Sequence, residues 1–128
     1  NRQALSGQVL VVDDDKDVRH MITTVLEAAG AGVTEASSSE EAMASLGKTA
    51  FDACVLDWNL AATTGESLLS SLKSGYPNLF ARTVVVTGDL FSDGNDHESS
   101  RFGRPVLAKP FRPHLLVEML AGLLADTG

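Results

Sequence analysis

The chain has 128 residues, 44% of them hydrophobic, and a formal charge of −7 at pH 7. That length fits one domain, since domains commonly run about 100–150 residues, and it leaves no room for a second. The acid excess argues against a nucleic-acid footprint, which needs a basic stripe to neutralise phosphates, and the apolar runs fall far short of the ~20 residues of a membrane span.

Asn1 to Gln8 is polar, with Ser6-Gly7 before the first apolar run, and reads as a linker-like lead (1–8) to a domain spanning 9–126. A first residue other than Met points to a piece of a longer protein, and nothing at the start resembles a signal peptide. Val9 to Val12 has the pattern of a strand buried on both faces. A helix follows, with Val18, Met21, Ile22, Val25, Leu26 and Ala29 at helical spacing, Asp15 and Asp17 near its amino end, and Gly30 as a C-cap. Val33 to Ala36 is a weak second strand. Ser38 and Glu41 form a capping box for a helix whose apolar side is Ala42, Met43 and Leu46, stopped by Gly47.

Ala53 to Leu56 is the third strand and contains Cys54, the only cysteine, which reads as a buried thiol. With no disulfide and nothing at the start that resembles a signal peptide, a reducing, cytoplasmic location is expected. A loop from Trp58 leads to Gly65 and a helix carrying Leu68, Leu69 and Leu72, ended by Gly75 and Pro77; Arg82 to Val86 is strand four. Asp89 to Arg104 has little apolar periodicity, so a long stable helix is not expected there, least of all over Ser92 to Ser100. Val106 to Ala108 is strand five, and Pro113 opens a last helix with Leu115, Leu116, Met119, Leu120, Leu123 and Leu124 inward. Five short strands alternating with helices imply a three-layer α/β domain: a parallel sheet with right-handed crossovers, covered on both faces.

Four of these runs end in a polar group of a different kind: Asp13 and Asp14, Asp57, Thr87, and Lys109. The carboxyl ends of parallel strands share one sheet edge, where open α/β folds place ligands. Taken singly, an acidic Asp13-Asp14-Asp15 run is often a turn and N-cap, Asp57 a loop-entry aspartate, Thr87 a β-branched strand residue and Lys109 a solvated cation. Together they compose a phosphoryl-transfer site. Asp13 and Asp14 offer the hard oxygens that suit Mg²⁺, and three crowded carboxylates repel one another unless a cation intervenes. Asp57 can ligate the metal and attack phosphorus. The Thr87 hydroxyl, with Gly88 allowing close approach, and the Lys109 ammonium suit phosphoryl oxygens. His20, His97 and His114 are scattered without metal spacing, and Trp58, directly after Asp57, is expected to border the site rather than the core.

Val9-Leu10-Val11-Val12-Asp13-Asp14-Asp15, Leu56-Asp57 followed by Leu60 and Gly65, Val84-Val85-Val86-Thr87-Gly88, and Leu107-Ala108-Lys109-Pro110-Phe111 resemble the receiver domain of two-component response regulators over nearly the entire chain. The resemblance implies a flavodoxin-like (βα)5 fold with a five-stranded parallel sheet in the order 2-1-3-4-5. It makes Asp57 the phosphoacceptor, gives Mg²⁺ to Asp13, Asp14, Asp57 and the backbone carbonyl of Asn59, and makes Thr87 and Lys109 the switch hydroxyl and the phosphate-pairing lysine. The Lys109-Pro110 bond is expected to be cis. As partners it implies a histidine kinase or a histidine phosphotransfer domain, with no direct nucleic-acid or membrane binding, and chemistry directed at the domain itself rather than enzymatic turnover.

Two departures stand out. Receivers often carry an aromatic residue where this chain has Val106, and 92–100 is Gly- and Ser-rich where the family forms its fourth helix. Val106 and the Gly103-to-Phe111 segment resemble receivers of hybrid sensor histidine kinases; the alternatives are a stand-alone or transcription-factor receiver and a non-phosphorylated docking module. A dehalogenase-type phosphatase needs a second aspartate two residues after the nucleophile, where this chain has Asn59. A flavodoxin needs a phosphate loop where this chain has an acidic turn, which repels phosphate.

Overall fold

A computed structural model describes residues 5–58, 65–87, 106–108 and 112–125. The apolar runs form strands β1 (Gln8–Val12), β2 (Gly32–Ala36), β3 (Ala53–Asp57), β4 (Thr83–Thr87) and β5 (Val106–Ala108). They pair in parallel in the order β2-β1-β3-β4-β5, a flavodoxin-like sheet. The helices are α1 (Lys16–Ala28), α2 (Ser39–Leu46), α3 (Gly65–Gly75), a short α4 (Pro77–Phe80) and α5 (Pro113–Ala125). The weakly patterned 89–104, with its expected lack of a long helix, lies outside the described residues, as does the Lys109-Pro110 bond.

Side chains alternate across the pleat and divide the core in two. Leu10, Val12, Cys54, Leu56 and Val85 meet Leu46 of α2, Leu68 and Leu72 of α3, and Leu79 of α4. Val9, Val11, Val55, Val84 and Val86 face the other way, against Ile22 and Leu26 of α1 and Leu116 and Leu120 of α5. β3 and β4 are buried at every position, as strands covered on both faces should be. Each Leu or Val so placed contributes about 1.5–3 kcal/mol.

Local chemistry sets the helix ends. Asp15 caps α1, accepting from the amides of Asp17 and Val18 at 2.9 and 3.2 Å. Gly30, at φ 112°, turns the chain out of α1 through the left-handed region. Ser38 caps α2 by accepting from Glu41 N, but Glu41 reaches back one residue further than a capping box requires, to the Ser37 amide and hydroxyl at 2.7 and 2.9 Å.

Several expectations are corrected. Met21, Met43 and Leu115 are exposed: a helix lying on a sheet touches it along a narrow line, and the flanks of the apolar stripe stay in solvent. In the lead read as linker-like, Leu5 is buried against the α1 side and its amide donates to Ala29 O at 2.9 Å, while Gln8 is the first residue of β1. One leucine among polar residues carries no periodicity to announce this. Pro77 does more than end α3; it opens α4, since a fixed φ suits a first helical turn. Trp58 is half-buried and packs against the core cluster of the α2–α4 side.

Candidate functional site

Register brings the carboxylates together. Val12 pairs with Leu56 and Asp57 with Val86, so Asp13 and Asp57, each one residue past the Val12–Leu56 pair, end neighbouring strands at one level. Both are buried, whereas Asp14 is exposed at the rim. One ligand oxygen from each of Asp13, Asp14 and Asp57 lies within 4.8 Å of the others. Oxygens held at ~2.1 Å by one Mg²⁺ lie up to ~4.2 Å apart, so small side-chain rotations gather these three donors around a single hard cation. The donor set therefore fits Mg²⁺ in chemistry and in spacing.

The main chain around Asp13 is fixed on every side. Its amide donates to Ala36 O at 3.1 Å, its Oδ1 accepts from the Asp15 amide at 2.9 Å, and its carbonyl accepts from Arg19 Nη1 at 2.9 Å. The amino end of α1 opens two residues beyond Asp14, and the helix dipole there favours negative charge. On the far side of β3, the Trp58 amide donates to Val86 O at 2.8 Å and carries the pairing one residue past Asp57. Thr87 ends β4 one residue beyond the partner of Asp57 and is buried.

Of the sequence-derived site residues, Asp13, Asp14 and Asp57 are thus gathered in one cluster, and Thr87 ends the adjacent strand. Asn59, Gly88 and Lys109 lie outside the described residues. Cys54 takes no part: burial pushes its thiol up to about 12, which leaves it neutral at physiological pH. Among the described histidines, His114 pairs with Glu118 on α5 at 2.8 Å and His20 faces Glu35 at 3.6 Å.

Sequence reasoning missed Arg19 and Glu35. Arg19 Nε donates to Glu35 Oε1 at 2.8 Å while Nη1 holds the Asp13 carbonyl. The one available signal was that Glu35 is the sole charged residue of β2. Burial raises the Glu35 carboxyl, but the nearby Thr23 hydroxyl, the Arg19 donor and the positive charges of His20 and Arg19 outweigh it, and the group stays below its ordinary value.

Comparison with known proteins agrees with this arrangement. A family model for the response regulator receiver domain matches residues 9–121. The chain is 31% identical over 120 residues to the phosphate regulon transcriptional regulatory protein PhoB of Pseudomonas aeruginosa, covering 94% of this chain and 52% of that protein. It is 27% identical to the response regulator protein FleR of the same organism, over 91% of this chain and 24% of that protein. The chain thus spans about half the length of one relative and a quarter of the other. Among solved structures, the receiver domain of the Francisella response regulator 1452 superposes with a TM-score of 0.82 at 27% identity, covering 95% of this chain and 99% of that one. Chemotaxis response regulator CheY4 of Vibrio cholerae gives 0.79 at 28%, over 93% and 99%. Since the family match runs from the first strand into the last helix and takes in every strand that frames the acidic cluster, the chain belongs to the response regulator receiver domains, which serve phosphorylation-dependent signalling.

Proposed function

We propose that Asp57 accepts a phosphoryl group from a phosphohistidine donor in a reaction that requires Mg²⁺ at Asp13, Asp14, Asp57 and the main-chain carbonyl of Asn59. The observation that carries this reading is the convergence of three carboxylates within 4.8 Å at the carboxyl edge of the sheet, two of them buried. When bound, Mg²⁺ supplies the positive charge that offsets both this crowding and the phosphoryl oxygens. An Asp57 carboxylate oxygen attacks phosphorus as the P–N bond to the donor imidazole breaks, and the electron pair of that bond leaves with the imidazole nitrogen. Family resemblance assigns the Thr87 hydroxyl and the Lys109 ammonium to the phosphoryl oxygens. Hydrolysis of the aspartyl phosphate resets the domain, so its chemistry is directed at itself.

The receiver domain is proposed to span 9–126, with Leu5 of the lead packed onto it and Gln8 opening its first strand. A cytoplasmic location is part of the proposal, tethered where a parent kinase sits in a membrane; no helix among the described residues is long and apolar enough to cross one. The partners are a histidine kinase core or a histidine phosphotransfer domain, and the acidic charge disfavours direct nucleic-acid binding. Val106 and the Gly103-to-Phe111 segment support the receiver of a hybrid sensor histidine kinase, since a relay domain presents Asp57 to two histidine-bearing partners and has less need of an aromatic gate to a distant output face. A transcription-factor receiver is the second reading, favoured by the names of relatives such as PhoB and the DNA-binding transcriptional regulator NtrC of Salmonella typhimurium. A DNA-binding domain after Gly128, with no kinase core before Asn1, overturns the hybrid reading.

The chemistry is tested by incubation with a small acyl phosphate and intact-mass measurement. One phosphoryl group is expected in Mg²⁺, none in excess chelator and none on Asp57→Asn. Undiminished labelling of Asp57→Asn overturns the assignment.

A further inference from the structure

Arg19 makes its two contacts with one rigid group. Its side chain is 15% exposed, and its planar fork sends Nε to Glu35 on β2 and Nη1 to the carbonyl of Asp13. That carbonyl belongs to the peptide joining Asp13 to Asp14. The orientation of this one peptide plane sets how the two carboxylates stand relative to each other. Glu35 is itself held by strand pairing, because Val11 pairs with it across β1 and β2. Its depressed carboxyl stays ionised at neutral pH, so the brace is charged under working conditions.

We infer that Arg19, braced by Glu35, is a positioning residue for the cation site, fixing the Asp13–Asp14 peptide so that both carboxylates are presented to one ion. The inference rests on the reading of Asp13 and Asp14 as cation ligands. Charge and geometry act in opposite directions here. As a positive charge beside the acidic cluster, Arg19 repels a divalent cation, so by charge alone its removal tightens binding. As a clamp it prearranges the donors, so its removal weakens binding. Its charge is shared with Glu35 and muted at the metal, whereas groups that orient metal ligands commonly command roughly 10–100-fold in affinity. Geometry therefore outweighs charge.

The sign of the effect is measurable by calorimetric titration of Mg²⁺ into the metal-free 128-residue chain, with thermal unfolding of each sample. Arg19→Ala is expected to weaken Mg²⁺ by about 10-fold or more, and Glu35→Gln to weaken it less. Arg19→Lys keeps the charge but has one nitrogen for two acceptors, and should recover only part of the loss. Equal or tighter binding by Arg19→Ala overturns the inference, as does a lowered melting temperature with no change in affinity. Should Arg19→Ala fail to fold, Arg19→Lys decides the matter, since parental affinity there shows that charge and not the fork is what counts. A parent chain that binds no Mg²⁺, or binds it as well as Asp14→Ala, overturns the cation-site reading itself, an outcome distinct from the others.

Discussion

Two aspartates bracket β3, and they are put to opposite uses. Asp52, just before the strand, is exposed; its Oδ2 accepts from the Gln8 amide at 2.8 Å while its own amide donates to Gln8 O at 2.7 Å. That carboxylate fastens the start of β1 to the start of β3. Asp57, at the other end of the strand, is buried within reach of two further carboxylates. The amino end of α1 lies at the carboxyl edge of the sheet and favours negative charge there. One residue type at the two ends of one strand is thus a fastening at one edge and a member of a carboxylate cluster at the other. Neutralising each should move stability in opposite directions.

The larger effect belongs to the amino edge. Gly7 sits at φ 91°, and a Cβ there would run into the Asp52 carboxylate. Gly7→Ala should cost about 1–2 kcal/mol from the left-handed backbone, with the displaced carboxylate adding to it, and Asp52→Ala about 1 kcal/mol from the lost hydrogen bond. The double variant should cost less than the sum, because the clash disappears with Asp52. Denaturant unfolding of the four proteins measures this coupling. Strict additivity would mean that the Asp52 carboxylate is not held against Gly7, and an Asp52→Ala variant as stable as the parent would break the comparison.

At the carboxyl edge the sign reverses. In excess chelator, Asp57→Asn relieves like-charge repulsion at nearly constant shape and should raise stability by about 1 kcal/mol, or roughly 3–5 °C in melting temperature for a domain of this size. Saturating Mg²⁺ should narrow or invert the difference, because a ligand that binds only the folded state stabilises it by mass action. A metal-free Asp57→Asn that melts below the parent would show that the cluster is satisfied within the protein, and the contrast with Asp52 would be lost.

The carboxyl edge was the more legible of the two in the sequence. An apolar run that ends in aspartate marks a strand terminus, and two such runs in register need no further information to bring Asp13 and Asp57 level. The Asp15 cap was legible for a similar reason, since it satisfies amides only two and three residues away. Contacts that join distant segments left no such trace. Arg19 reads as one more polar residue of a helix, and only the packing of α1 beside β2 gives its guanidinium a carboxylate and a carbonyl to hold. Asp52 reads as a loop aspartate, and Leu5 as an isolated apolar residue, until the sheet brings Gln8 and Ala29 to them. Asn59, assigned by resemblance, and Lys109, assigned from its strand-end position, lie outside the described residues.

Glu41 sharpens the comparison most finely, because it asks whether position at an edge decides the fate of a carboxylate or whether its company does. It stands near the amino end of α2, just past the end of β2 and so at the same sheet edge as Asp57, yet it is exposed and accepts from both the amide and the hydroxyl of Ser37. The backbone donor first, and the hydroxyl second, hold its carboxyl below its ordinary value. A group whose folded value is depressed contributes stability that is complete above its unfolded value and fades as pH falls through the folded one. The stability difference between parent and Glu41→Gln should therefore be level from neutral pH down to the ordinary carboxylate range and shrink below it, in the direction of a weaker parent. Unfolding followed from pH 7 to pH 3 reads the trend, and a difference that stays constant throughout would mean that the Ser37 bonds do not favour the ionised form. With the trend present, Glu41 is a fastening like Asp52 although it shares an edge with Asp57, and what sets Asp57 apart is burial beside two other carboxylates rather than the edge alone.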